Sequence, residues 1–237
     1  MDIRKMLSLN RFVKSPGKEH PEMKLLEKYR GTTIKSSEDK NDAGLRDIEI
    51  IVLDTETTGL KPHTGDEIIS MGACLIKGGE LTDQRFHRLV NPMRPIPNLI
   101  TDLTGISDEM VAVAESFYAV VTDLLDFIGN RIIVGHCIDF DINFLNYKLK
   151  KSNVKIGNYL IDTCILSKVL LPDLKVHTLD SILSHLGFYP EGRHSALGDA
   201  ILTTNVLLYF IKELDKKGIK TLCDLKYYIY NAILYKL

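Results

Sequence analysis

The segment IEIIVLDTETTGL at residues 48–60 restricts the possible folds more than any other part of the chain. Residues 50–53 are apolar without a break, as in a central strand covered on both faces. The run then reaches Asp54 and Glu56, one residue apart. Side chains alternate along a strand, so these two carboxylates share a face and Thr55 takes the other. Like charges that close repel unless one is protonated or a cation lies between them. A strand end before a turn is also where open α/β sheets keep their ligand crevices.

The 237 residues, 45% of them hydrophobic, suffice for one well-buried core plus an appendage. Thirty Lys and Arg against 31 Asp and Glu give a formal charge of -1, so any site for a polyanion must be local. Cys74, Cys137, Cys164 and Cys223 form no CxxC pair. That argues against a zinc knuckle or a redox dithiol, and buried reduced thiols are expected instead. The N-terminus has no apolar stretch of signal-peptide length, and no uncharged run approaches a bilayer span. The expectation is a soluble, cytoplasmic protein without a membrane partner.

Residues 1–46 differ from the rest and are expected to form an N-terminal helical extension and linker. They hold an amphipathic piece at residues 6–13, an SPG break, a second helical piece at residues 25–29 and the polar run KSSEDKNDAG. Packing on the domain and packing on a partner are both open for these short helices. Residues 47–237 are the main domain. Gly78-Gly79 separates two runs of strand formers, a hairpin signal. Strand RIIVGH, helix DFDINFLNYKLKK, strand NYLIDT, helices CILSKVLL and TLDSILSHLG, and a long helix from near Ser195 follow. Strands paired first by a hairpin and later alternating with helices predict an α/β fold, a mixed central sheet flanked by helices.

Further acids fall on inward faces. Asp141 shares a helical face with Ile138, Ile142 and Leu145, whereas Asp139 lines up with Asn143, Asn146 and Lys150. A carboxylate on the apolar side is costly unless it is paired or serves a cation. Asp199 groups in the same way with Leu202, Thr203 and Val206, and His194 precedes it by five residues. That spacing is about 140° around an ideal helix, so His194 sits at or before the helix start. Taken alone, such a histidine is more often a structural hydrogen-bonder than a catalyst, and its nearness to an inward acid shifts that balance. An oxygen-rich set without cysteine suits hard cations, Mg²⁺ or Mn²⁺, and two ions about 3.5–4 Å apart are the usual arrangement for cutting a phosphodiester.

These motifs resemble the DnaQ-like (DEDD) 3'-5' exonucleases, whose proofreading branch is typified by the epsilon subunit of bacterial DNA polymerase III. The first motif matches DTETTGL (Asp54, Glu56), the second HCIDFDINFL (Asp141 after Phe140) and the third HSALGD (His194, Asp199). The position of the family's alternative tyrosine base is Ser195, so the chain resembles the histidine variant, DEDDh. The resemblance spans roughly residues 48–212 and includes LTGISDEMV. It implies a ribonuclease-H-like fold and a two-metal mechanism. Asp54, Glu56, Asp141 and Asp199 would serve the metals, with His194 as general base on the attacking water. Thr57, Thr58, Leu60, His136 and Phe140 would contact the substrate. Cys137 stands where many relatives carry Asn.

The function implied is metal-dependent removal of nucleoside monophosphates from DNA 3' ends, single-stranded or mismatched. The same chemistry on RNA, as in the RNase T and oligoribonuclease branches, is the alternative. A non-catalytic scaffold with a nuclease fold is a third reading, and a DNA polymerase is a conceivable partner. Local grip on the substrate could come from Arg85, Arg88 and Arg94, or from Lys148, Lys150 and Lys151, although ordinary solvated surface explains both groups equally well.

Overall fold

The computed structural model describes residues 21–37 and 41–236; the piece expected at residues 6–13 lies outside them. A 3₁₀ helix, Pro21–Tyr29, leads to the short strand β1 (Thr33–Ile34). Strand β2 (Ile50–Thr57) follows, then β3 (Ile68–Lys77) and β4 (Glu80–Leu89). Helices α1 (Asn98–Thr104), α2 (Asp108–Ala112) and α3 (Phe117–Ile128) precede β5 (Ile132–Gly135) and α4 (Asp139–Leu149). After β6 (Lys155–Ile156) and β7 (Leu160–Asp162) come α5 (Thr163–Leu170), α6 (Leu179–Leu186), α7 (Ala196–Lys216) and α8 (Leu222–Lys236).

Five strands form the mixed sheet in the order β4-β3-β2-β5-β7. The β2-β3 and β3-β4 pairs are antiparallel, whereas β2-β5 and β5-β7 are parallel. Gly78 and Gly79 turn the β3-β4 hairpin at φ 61° and 73°, the left-handed pair that a tight two-residue hairpin requires. Residues 50–53 of β2 are all buried, which explains the unbroken apolar run. One apolar layer packs α3 and α4 on one face of the sheet, and α6, α7 and neighbouring segments cover the other.

The second helical piece of the N-terminal region packs on the main domain: Leu26 is 1% exposed and joins the layer that contains Val121, Leu124 and Leu125. Strand β1 pairs in parallel with β6. Parts of the polar run are also tied down. Ser36 Oγ donates to the Arg131 carbonyl at 3.0 Å and accepts from Tyr159 N–H at 2.9 Å, and the Cys223 N–H donates to the Asn41 carbonyl at 2.8 Å.

Because β2, β5 and β7 run parallel, their C-terminal ends meet along one edge of the sheet. That edge collects Asp54 and Glu56 from β2, His136 and Cys137 after β5, and Asp162 from β7. The opposite sense of β3 brings Gly72 beside Asp54. No helix among the described residues is long and apolar enough to cross a membrane.

Candidate active site

Helix α7 reaches this edge because β3 offers no side chain at Gly72. A Cβ there would stand 2.2 Å from the Ala196 carbonyl carbon and the Leu197 nitrogen. The first turn of α7 therefore lies directly against the sheet, next to Asp54. Ser195 caps the helix, accepting from Gly198 N–H at 3.2 Å and donating to the Gly192 carbonyl at 3.0 Å, as N-cap serines do. Asp199 falls in that turn, 6% exposed.

Ligand oxygens of Asp54, Glu56 and Asp199 lie within 4.8 Å of one another. The electrostatics match the crowding. Burial, followed by the charges of Asp141, Asp199 and Glu56, holds the Asp54 carboxyl well above the usual carboxylate range. Burial and the charge of Asp199 push Glu56 up to about 7. Three acids so placed favour sharing protons or taking up a cation.

Asp199 is held on one side only. Its Oδ2 accepts from the Arg193 guanidinium and from the His194 N–H at 3.3 Å. Its Oδ1 is buried without a hydrogen-bond partner. Arg193 also clamps Asp180, with Nε 2.6 Å and Nη2 3.1 Å from the two carboxylate oxygens. Sequence reasoning missed Arg193; its place directly before the third-motif histidine was the available signal.

Asp141 is buried at 4% exposure, as the helical spacing predicted, and Asp139 is exposed. The Asp141 carboxylate is not one of the three clustered acids. Its Oδ1 accepts from the Thr55 hydroxyl at 2.6 Å and the Thr55 N–H at 3.0 Å. Burial raises it to about 7, against the opposing pull of these hydrogen bonds. Thr55, pointing away from Asp54 and Glu56 along β2, thus ties the fourth acid to the strand.

His194 is half-buried, just before α7, in the left-handed region at φ 61°. Asp180 beyond it is held below its ordinary value chiefly by its hydrogen bonds with Arg193. Thr57 and Thr58 are buried, and Leu60 is 75% exposed beyond them. Thr57 Oγ1 donates to the Gly59 carbonyl at 2.7 Å, which fixes the turn. Phe140 is half-buried and packs edge-on against Phe144.

A cleft of about 620 Å³ opens beside the acids, lined by Asp54, Asp199, Arg193 and Asp180, by His136, Cys137 and Cys164, and by Lys168, Lys175 and His177. The basic groups considered from sequence do not line it. Arg88 pairs with Glu115, Arg94 with Asp66 and Lys148 with Glu67. The expectation of four buried thiols also needs correction, since Cys137 and Cys223 are exposed and Cys164 is half-buried. Apolar neighbours in sequence did not imply burial, because both exposed residues sit at helix starts where the chain passes the surface.

Fold and site together define an α/β protein of the ribonuclease-H-like class with an acidic centre at its sheet edge. The family model described as Exonuclease, RNase T type, matches residues 51–207. The DNA polymerase III PolC-type protein of Thermotoga maritima is 38% identical over 187 residues, covering 78% of this chain and 14% of that protein. The DNA polymerase III subunit epsilon-like protein of Rhodobacter capsulatus is 36% identical over 177 residues, covering 73% of this chain and 25% of its own. Among solved structures, the nuclease domain of 3'hExo, a DEDDh family member bound to rAMP, superposes with a TM-score of 0.63 at 20% identity, covering 72% of this chain and 95% of that one. The chain belongs to the exonuclease family. It spans between about a seventh and a quarter of the length of these two curated relatives.

Proposed function

We propose that this protein is a 3'-5' exonuclease that removes nucleoside monophosphates from DNA 3' ends with the help of Mg²⁺ or Mn²⁺. The observation that carries this reading is Asp199 Oδ1, a buried carboxylate oxygen without a partner beside Asp54 and Glu56. A buried bare oxygen is costly unless a cation is its intended partner. The all-oxygen donor set fits a hard divalent ion.

Asp54, Glu56 and Asp199 would hold such ions, with Asp141 tethered to Thr55 at the rim of the set. Two ions there would polarise the scissile phosphate and lower the pKa of a bound water. The remaining steps belong to the chain. His194 takes the proton of the attacking water, its backbone already fastened to Asp199. Thr57, Thr58 and Leu60 in the turn, with His136 and Phe140 across the edge, position the terminal nucleotide. Lys168 and Lys175 in the cleft wall supply the local positive charge that the net charge does not, since Arg193 is already paired with Asp180 and Asp199.

The names of the DNA polymerase III relatives support DNA as substrate, a cytoplasmic setting and work beside a polymerase. RNA is the second reading, favoured by the ribonucleotide in the 3'hExo structure. The deciding experiment is a time course on matched 5'-labelled DNA and RNA strands with Mg²⁺ or Mn²⁺, beside Asp54→Ala and a chelator control. A one-nucleotide ladder on DNA, absent in both controls, is expected. A clear preference for RNA would replace the substrate, and no cleavage of either strand would sink the enzyme reading.

A further inference from the structure

We propose that His136, Cys137 and Cys164 form a site for a thiophilic metal ion, with Zn²⁺ as the natural occupant, in the wall of the cleft that also holds the acids. Ligand atoms of the three residues lie within 4.8 Å of one another, although Cys164 is far from the other two in sequence. Around a tetrahedral Zn²⁺, sulfur and nitrogen ligands stand about 3.3–3.8 Å apart. Side-chain adjustment of about 1 Å therefore closes the set.

The backbone holds the two cysteines together independently of any ion. Asp162 Oδ1 accepts from the Cys137 N–H at 3.0 Å and from the Cys164 N–H at 2.7 Å. One carboxylate oxygen thus clamps the loop after β5 to the start of α5. Cys137 itself is held at φ 59°, a left-handed conformation that is costly for a non-glycine residue and tends to be retained where it aims a functional side chain.

His136 has the kind of anchor that metal-binding histidines use. Its Nδ1 lies 3.1 Å from Thr163 Oγ1. Thr163 Oγ1 gives its own proton to the Gly135 carbonyl at 3.1 Å, so it accepts from the His136 Nδ1–H, and Nε2 keeps the lone pair that a metal ligand needs. The donor set of two sulfurs and one nitrogen selects Zn²⁺ over Mg²⁺, whereas the oxygens of Asp54, Glu56 and Asp199 do the reverse. Binding releases the two thiol protons to solvent. All three residues line the cleft, and three protein ligands would leave a fourth coordination position for water.

The test is a Co²⁺ titration of the full chain in saturating Mg²⁺ and a thiol-free reductant. A thiolate-to-cobalt charge-transfer band that saturates at one ion and is bleached by Zn²⁺ is expected. The band should vanish in the Cys137→Ser/Cys164→Ser double variant and persist in Cys223→Ser and in Asp54→Asn; persistence in Asp54→Asn separates this site from the acidic centre. Should the double variant fail to fold, alkylation of the wild type decides, with Zn²⁺ expected to protect Cys137 and Cys164 at least tenfold and Cys223 not at all. No charge-transfer band, a band that survives in a folded double variant, or equal alkylation with and without Zn²⁺ would each overturn the proposal.

Discussion

The first turns of α4 and α7 each carry a buried aspartate at the same sheet edge, and the two are held in opposite ways. Asp141 on α4 has an oxygen saturated by Thr55, through both hydroxyl and N–H. Asp199 on α7 has one oxygen braced by Arg193 and His194 and the other bare. Two equally buried acids thus offer their oxygens differently. A carboxylate oxygen already satisfied by the protein contributes order, and a buried one left bare is available to a cation.

The largest effect should come from the available acid. Asp199→Asn is expected to lower the exonuclease rate on the order of 10³-fold, equivalent to losing several kcal/mol of charge stabilisation in the transition state. Steady-state kinetics beside Asp141→Asn test it. If Asp141→Asn proved the more damaging of the two, the contrast between the helices would be reversed.

Next in size is Gly72→Ala, which drives a methyl into the α7 backbone at Ala196. Overpacking of this kind is expected to cost about 3 kcal/mol, read by denaturant unfolding, with weaker Mg²⁺ binding because Asp199 moves with the helix. An unchanged unfolding midpoint would mean that α7 is not seated on β3 as described. Thr55→Val is smaller still. It removes one of the two donors to Asp141 Oδ1, with a cost of about 1–2 kcal/mol in stability and a rate loss well below that of Asp199→Asn.

A pH dependence tests the other side of the comparison, and its sign is opposite to that of an ordinary salt-bridged acid. Glu56 and Asp141 titrate near 7 in the folded protein against usual values of 4.5 and 3.8, so between those limits the folded state keeps protons that the unfolded chain has lost. The metal-free protein should therefore lose stability as pH rises from about 4 through 7. Thermal melts with and without Mg²⁺ would show it: the decline is expected in chelator and should flatten when Mg²⁺ is present. A metal-free protein that gained stability over this range would contradict the crowded acidic centre.

Much of the site was legible because it rests on local periodicity. Alternation in β2 put Asp54 and Glu56 on one face, and helical spacing turned Asp141 and Asp199 inward; all four positions follow from dihedral geometry alone. Arg193 was not visible in this way. Its pairing with Asp180 spans 13 residues, and only its place beside the third-motif histidine sets it apart from a solvated arginine. The surface arginines and lysines considered from sequence failed for a related reason, since Glu115, Asp66 and Glu67 neutralise three of them across the fold.

The cysteines show where local reading stops. Their spacing argued against a metal site, yet Cys137 and Cys164 meet because β5 and β7 are parallel neighbours whose ends share Asp162. The sequence by itself determined the strands, the inward acids and the family, since each is carried by residues within a few positions of one another. Tertiary structure alone decided which acid keeps a bare oxygen, how closely α7 approaches the sheet at Gly72, and which cations and thiols reach the cleft. Those properties depend on contacts between residues distant in the chain, and their energies are set by burial and by partners that no local pattern specifies.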